Sequence, residues 1–397
     1  MKKTRFIYTL ASISLLATTL LSRGDSRPSE QPATAEPEIT RNAGMTEKPT
    51  DWQARAAASL AKGQQWLISR QSEDGSWSEA HYPALTALAL QALADSKAEA
   101  AEASARKAVQ FILRHQQPDG GFYVDLPERK GGGLSTYNTA ICMTALQKTG
   151  LPEVREPLLK ARAFLIAAQY RGEESVHVGG FGYDAQRNRS YTDLNNTHYA
   201  LEAMSLTREM ADAHPQAGSR HDIDWKAALD YVASLQVQPQ DGPLYAGGFI
   251  YNPIDPKAGT VTLENGRVVI KPYGSASYVG MVALLAAGTK PDNPRMQALL
   301  QYCISNWSLT ENPAMGQQGL FFYYVTLAKG LNMAGSQAFT GKTGSPLKNW
   351  QRELALKLVS LQRSDGSWIN ENGRFAESDP VLATAYSAIA LQLTLGD

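Results

Sequence analysis

The stretch "GQQWLISRQSEDGSW", residues 63–77, decides the fold because it returns along the chain in altered copies. It joins the end of an amphipathic helix to Gln71, then to an Asp-Gly turn, and finally to Trp77. Further copies with a Gln and a terminal aromatic lie at 110–122, 163–181, 230–249 and 356–368. One more copy, degenerate and fifth in chain order, lies at 301–322 and has Trp307 in the Gln position. Such self-similarity indicates a repeat architecture.

Between the copies the sequence predicts a second set of helices, rich in Ala and Leu. They lie at 84–94, 138–150, 196–207, 275–288, 323–335 and 381–395. Helices that are apolar all round belong in an interior, whereas the first helix of each pair carries a charged face, as in "KAVQFILRH" at 107–115. An open solenoid needs terminal repeats with a polar outer face, and neither the first nor the last pair differs in that way. The pattern therefore predicts an all-α fold, a single closed α/α toroid of six helical hairpins over residues 51–397.

Two smaller features complete the predicted toroid. The motif Gln and Trp side chains are expected to be structural, since a Gln at the end of an outer helix can bond backbone groups left unpaired there. The segment 259–274 alternates apolar and polar residues around Asn265-Gly266, which is typical of a β-hairpin. We expect this hairpin to be a small insert near one opening of the ring.

The N-terminal region predicts export. Residues 1–22 combine a basic start with an uncharged apolar run, which indicates a signal peptide that is either cleaved or retained as an anchor. Residues 23–50 are rich in Pro, Glu, Thr and Ser and predict a disordered linker. We therefore expect a periplasmic or extracellular protein.

The balance of charged residues bears on the class of partner, and the context of the two cysteines bears on disulfide pairing. Lys+Arg and Asp+Glu both number 38, which argues against nucleic acid as the main partner. Cys142 and Cys303 each lie in an apolar helical pattern, so they either pair or, as we favour, stay small buried hydrophobes.

The repeats resemble those of the terpenoid cyclase and protein prenyltransferase superfamily, whose Gln…Trp repeat is called the QW motif. The chain is most similar to bacterial exported prenyltransferase/squalene oxidase repeat proteins, over roughly residues 54–396. This resemblance implies an α/α toroid of six inner and six outer helices, with a cavity at the mouth of the inner ones. It also implies that the ligand is a prenyl chain or a terpenoid.

The same resemblance points to one polar stretch. Squalene–hopene-type cyclases protonate an alkene with an Asp in a D-x-D-D-T-A motif, and the matching stretch here is D-L-N-N-T, from Asp193 to Thr197. Two of the three carboxylates are replaced by the amides of Asn195 and Asn196. Because an amide has no ionisable proton and alkene protonation needs a strong acid, the usual acid chemistry is disfavoured.

Cofactors are not expected. Prenyltransferases of this superfamily bind zinc through an Asp, a Cys and a His at the ring mouth. Neither Cys142 nor Cys303 is predicted at the mouth, and neither has an Asp two residues before it.

The starts of the inner helices should surround one end of the ring and supply the candidate site. The candidate catalytic residues are Asp193, His198 and Asp379. The candidate ligand-binding residues are Tyr137, Asn138, Asn195, Asn196, Tyr278, Tyr323, Tyr324 and Glu377. Aromatic walls with a few convergent polar groups are typical of a ligand pocket. The competing interpretations are helix caps for the aspartates and core packing for His198 and the tyrosines.

Three classes of function remain open at this point. The first is an exported toroid that binds or transforms a prenyl, terpenoid or other apolar molecule, and an enzyme of this class would be a cyclase or isomerase. The second is a non-catalytic module that binds another protein outside the cytoplasm. The third is a polysaccharide lyase or hydrolase, and hydrolysis needs two carboxylates about 5–10 Å apart. Asp193 with Asp379 or Glu377 are the candidates for that pair.

Overall fold

The computed structural model describes residues 51–128, 132–173, 176–185, 191–214, 222–339 and 345–396. The predicted signal peptide and linker lie outside these residues. Within them the chain forms thirteen α-helices, short 3₁₀ segments and one two-stranded sheet. The all-α prediction is therefore confirmed.

Twelve of the helices alternate between an outer and an inner layer. The outer helices are α1 Asp51–Arg70, α3 Ala101–Arg114, α5 Arg155–Ala168, α8 Trp225–Ser234, α10 Pro294–Ser305 and α12 Trp350–Leu361. The inner helices are α2 Pro83–Ala92, α4 Ser135–Thr149, α6 Leu194–Leu206, α9 Gly274–Ala286, α11 Leu320–Ala334 and α13 Pro380–Leu395. A further short helix, α7 Arg208–Asp212, follows α6 and was not predicted. The inner helices are buried on nearly every side, α2 along its whole length, as their apolar sequences require.

The inner helices form a closed ring. They contact one another in the order α2, α4, α6, α9, α11, α13, and α13 returns to contact α2. The last outer helix, α12, packs against the first, α1, in the same way. The predicted closed toroid is confirmed, and the order places α6 and α13 opposite each other.

The motif Gln residues join neighbouring repeats. Gln71 Nε2 donates to the carbonyl of Gly75 in its own turn at 3.0 Å and to that of Ser104 in α3 at 2.9 Å. The equivalent pairs of carbonyls are Gly120 and Pro157 for Gln116, Gly179 and Asp224 for Gln169, and Gly247 and Arg295 for Gln236. Each amide thus ties a turn to the start of the next outer helix.

In the last repeat, at 356–368, the Gln side chain makes the same pair of hydrogen bonds, and here they close the ring. Gln362 Nε2 donates to Gly366 O at 2.9 Å and to Ser59 O of α1 at 2.8 Å. The Ser59 hydroxyl donates back to Gln362 Oε1 at 2.8 Å. First and last repeats are therefore linked by the same chemistry as interior ones.

The motif aromatics fix each inner helix to its turn. Their backbone N–H groups donate to a hydroxyl of the inner helix, in the pairs Trp77–Thr86, Phe122–Thr139, Phe181–Thr197, Phe249–Ser277 and Trp368–Thr384. All five aromatic side chains are fully buried. The structural role predicted for the motif is confirmed.

The degenerate copy at 301–322, the fifth along the chain, links neighbouring repeats through different atoms. Trp307 stands in the Gln position, and its Nε1 donates to Glu353 Oε2 in α12 at 3.2 Å. The carbonyls that follow it accept from the hydroxyls of Tyr323 and Tyr324, at 2.8 and 2.6 Å.

The predicted insert and the cysteines can also be placed. Strand β1 Thr260–Thr262 pairs antiparallel with β2 Val268–Ile270, with Val261 opposite Val269, so the hairpin is confirmed. Cys142 and Cys303 are both free and buried, as favoured above. Over the part of the chain that the structure describes, no helix combines the length and apolar character needed to cross a bilayer.

Candidate functional site

The N-terminal ends of the inner helices meet at one end of the ring, and aromatic side chains from four of them converge there. We call this group the lumen cluster; it consists of Tyr137 on α4, His198 and Tyr199 on α6, Phe322 on α11 and Tyr386 on α13. Only Tyr137 and His198 of this group were predicted as site residues. The other three lie within the first two turns of their helices, and that position could have identified them.

The ring contacts within the lumen cluster cross the interior of the toroid. The Tyr137 and Tyr199 centroids are 5.6 Å apart at an interplanar angle of 88°. His198 lies 3.9 Å from Tyr199 and 6.4 Å from Phe322, and Phe322 lies 5.8 Å from Tyr386. Because α9 separates α6 from α11 in the ring, the contact between His198 and Phe322 bridges helices that are not neighbours.

The lumen cluster is partly accessible. Tyr199 and Tyr386 are buried, whereas Tyr137 and Phe322 are half-buried and keep surface open to solvent. Desolvation raises the pKa of Tyr137 to about 12, so its hydroxyl stays neutral near pH 7. The cluster therefore presents uncharged aromatic surface at the end of the ring.

Asp193 lies fully buried at the start of α6, as its N-cap. Its Oδ1 accepts from the backbone N–H of Asn196 at 2.8 Å, and its Oδ2 accepts from the Asn196 side-chain amide, also at 2.8 Å. Burial raises the pKa of Asp193 to about 6, and these hydrogen bonds oppose the rise. The cap interpretation is thus what the geometry shows, while a catalytic role for Asp193 remains a prediction.

Four tyrosines that were not predicted surround this carboxyl group. They are Tyr183, Tyr191, Tyr251 and Tyr273. Burial first and the charge of Asp193 second raise the pKa of each hydroxyl. Tyr183 is half-buried and its ring lies 5.9 Å from that of Tyr137, so it links this group to the lumen cluster.

His198 is fully buried, and neither ring nitrogen has a hydrogen-bond partner among the described residues. Desolvation lowers its pKa to about 3, so the imidazole is neutral at physiological pH. Asp193 bonds to Asn196, and no hydrogen bond joins it to His198 in the described residues, while a catalytic role for His198 stays a prediction.

The other two carboxylates also serve helix ends. Asp379 is the N-cap of α13, and its Oδ1 accepts from the Val381 N–H at 2.9 Å. Glu377 is fully buried and accepts from the Phe322 N–H of α11 and from Asn370 Nδ2, both at 2.7 Å. Burial raises the pKa of Glu377 to about 7. Since α6 and α13 lie opposite in the ring, Asp193 and Asp379 start from opposite sides of the opening.

Several predicted ligand contacts are engaged within the protein. Asn138 accepts from the Ala84 N–H at 2.9 Å and donates to Gly133 O at 2.7 Å, tying α4 to α2. The hydroxyls of Tyr323 and Tyr324 serve the degenerate repeat, as described above. Tyr278 is buried with its ring 5.7 Å from Tyr323, and its hydroxyl has no hydrogen-bond partner in the described ranges. Asn195 is half-buried in the first turn of α6.

The described residues contain no group of three or more His, Cys, Asp or Glu side chains placed to hold a metal ion. A pocket of about 250 Å³ lies at the opposite end of the ring, between α2, α3 and α4, away from the predicted site.

Comparisons with known proteins give structural similarity only. No protein-family model matches the chain, and no curated protein does. Among solved structures, the type II terpene cyclase MstE from Scytonema, an aspartate-to-alanine variant in complex with merosterolic acid A, has a TM-score of 0.56 at 14% identity and covers 87% of this chain and 99% of its own. An inactive variant of an α-1,6-mannanase from Salegentibacter, in complex with α-1,6-mannotriose, has the same four values, 0.56, 14%, 87% and 99%.

A further similar structure is a protein from Actinoplanes, with a TM-score of 0.51, 16% identity and coverage of 85% and 99%. At such identities the similarity shows the fold, an α/α toroid. The fold implied by the sequence resemblance is therefore confirmed, and the activity of this chain does not follow from it.

Proposed function

We propose that this protein binds a neutral, apolar molecule of the prenyl or terpenoid class at the lumen cluster. The observation that carries the proposal is the set of uncharged aromatic rings, supplied by four inner helices, that stays partly open to solvent through Tyr137 and Phe322. Apolar and aromatic walls with few polar groups recognise ligands of this kind. The MstE structures, which hold merosterolic acid A or geranylgeranyl dihydroxybenzoate, support the choice by analogy of fold alone.

The proposal is one of binding rather than of acid-initiated cyclisation. With a pKa of about 6, Asp193 is mostly ionised at neutral pH, and both of its oxygens accept hydrogen bonds from Asn196. In its ionised form the carboxylate has no proton to donate to an isolated alkene. We therefore expect the bound molecule to be released without chemical conversion.

The hydrolase alternative has less support in the geometry. It requires a pair of carboxylates with a substrate between them, and Asp193, Asp379 and Glu377 each cap a helix end. The protein-interaction alternative has no observation in its favour beyond the fold. We further propose that binding takes place outside the cytoplasm, in line with the export signal expected over residues 1–22.

Titration of the full chain with geranylgeraniol, followed by intrinsic tyrosine and tryptophan fluorescence, tests the proposal. We expect saturable binding with one molecule per chain. Tyr137→Ala removes one of the two half-buried rings of the cluster and should weaken binding about tenfold. Tyr245→Ala, a half-buried tyrosine on the loop after α8, is the matched control and should bind as the wild type does.

Two results would overturn the proposal. One is the absence of saturable geranylgeraniol binding by a folded chain. The other is the release of shorter sugars from α-1,6-mannooligosaccharides by the same preparation. Mass spectrometry of the geranylgeraniol recovered after incubation checks that no cyclised product has formed.

A further inference from the structure

The pocket between α2, α3 and α4 lies at the C-terminal end of the inner helices, far along α4 from Tyr137. Its volume is about 250 Å³, just below the range usual for small-ligand pockets. Its walls are largely apolar and include Leu90, Leu93, Ala105 and Val109. A small molecule with a short apolar chain fits such a space.

One cationic side chain in this pocket has hydrogen-bonding capacity to spare. Lys148, in the last turn of α4, donates from Nζ to Gln91 Oε1 at 3.3 Å, a long bond. An ammonium group carries three donors, and within the described residues this bond uses one of them, so two stay available to a ligand. Although Lys148 keeps exposed surface, the surrounding protein desolvates its amine and lowers its pKa. A negatively charged acceptor would offset that cost.

Lys148 and the charged groups around it together carry a net charge of +1. Inside the ring Lys329 Nζ donates to both oxygens of Glu202 at 2.9 Å, and both side chains are buried. These two are the charged groups that act on Lys148, so two lysines face one carboxylate. At the rim Arg106 pairs with Glu102 at 3.0 Å, which leaves the total unchanged.

We propose that this pocket binds a small amphiphilic carboxylate, whose chain lies against Leu90, Leu93 and Val109 and whose carboxylate accepts from Lys148. The chain gains about fourfold in affinity for each methylene it buries. The charge-assisted hydrogen bond to the ammonium group selects an anion over a neutral molecule. This site is separate from the lumen cluster and does not depend on the ligand proposed there.

Calorimetric titration of the full chain with hexanoate, hexan-1-ol and acetate near pH 7 tests this proposal. We expect saturable hexanoate binding, with hexan-1-ol and acetate each at least about tenfold weaker, because the first lacks the charge and the second lacks the chain. Lys148→Gln should weaken hexanoate binding about tenfold or more. The control Lys226→Gln, at an exposed lysine of α8 that pairs with Asp230, should leave it unchanged.

Two further variants locate the site. Ala105→Leu fills the pocket from α3 and should abolish hexanoate binding, while Tyr137→Ala in the lumen cluster should not alter it. Equal hexanoate affinity in the wild type and Lys148→Gln, equal affinity for hexan-1-ol and hexanoate, or no saturable binding of hexanoate would each overturn the proposal. Thermal unfolding of every variant verifies that it is folded.

Discussion

At the scale of single residues, Asp193 and Asn196 show why the start of α6 is polar. The buried carboxylate receives two hydrogen bonds from one neighbour, and the second of them comes from the side-chain amide. A carboxylate in place of the Asn196 amide would bring a second acceptor to a site that needs a donor. The amide therefore stabilises the ionised form of Asp193, which has no proton to give to an alkene.

His198 leads to a prediction about acid sensitivity. In the unfolded chain its pKa is 6.5, whereas burial lowers it to about 3 in the folded protein. Below pH 6.5 the unfolded state therefore takes up a proton that the folded state does not. The free energy of unfolding decreases as the pH is lowered from about 6.5 to about 3. At pH 5 this single group should cost about 2 kcal/mol relative to neutral pH.

The substitution His198→Phe removes that titration while keeping an aromatic ring beside Tyr199 and Phe322. We expect the free energy of unfolding, measured with urea, to fall about 2 kcal/mol less between pH 7 and pH 5 than in the wild type. His115→Phe is a suitable control, since His115 is a half-buried residue at the end of α3. An equal acid sensitivity of His198→Phe and wild type would contradict the buried, neutral state of His198.

At the scale of the elements, the turn glycine of each of the five clear repeats lies close against the next outer helix. Gly247 has a φ of +88°, and a Cβ there would lie 2.2 Å from the carbonyl oxygen of Ala298 in α10. The turn glycines Gly75, Gly120, Gly179 and Gly366 face the next outer helix with similar values. The Gly of the motif is thus required twice, by its backbone conformation and by the close approach of a helix.

These two requirements can be separated by a pair of substitutions. Gly266, at the tip of the hairpin, has a φ of +80°, but a Cβ at this position would meet no atom within 4 Å. Gly266→Ala should therefore cost only the backbone strain, about 1 kcal/mol. Gly247→Ala should cost at least about 2 kcal/mol more, because α10 must move away. Urea unfolding of both variants measures the difference, and equal costs would argue against the close packing of turn and helix.

At the scale of the whole molecule, closure of the ring makes the Gln hydrogen bonds of the first and last repeats equivalent to those of the interior ones. Gln362 lies 303 positions along the sequence from Ser59, yet the two bonds that its side-chain amide donates match the two that Gln116 donates. In an open solenoid the first and last repeats would each lack a neighbour. In this ring the first and last repeats are neighbours. The Gln hydrogen bonds between them should therefore contribute as much to stability as those between interior repeats.

The prediction for closure compares Gln362→Leu with Gln116→Leu. Each change leaves two carbonyls without their amide donor and should cost about 1–3 kcal/mol. The two losses in free energy of unfolding, measured by urea denaturation, should agree within about 1 kcal/mol. A negligible loss for Gln362→Leu beside a large one for Gln116→Leu would indicate that the ring opens in solution.

By itself the sequence determined the repeat, the two helical layers, the closed ring and the hairpin, because each depends on local periodicity and turn chemistry. Only the tertiary structure decided which side chains share the opening. Tyr199, Phe322 and Tyr386 lie on helices far apart in sequence, and they meet because ring closure aims them at one axis. The predicted Tyr323 and Tyr324 turn instead toward a degenerate repeat whose carbonyls need donors. Spacing along a helix fixes a face, but what that face meets is set by the packing of the whole ring.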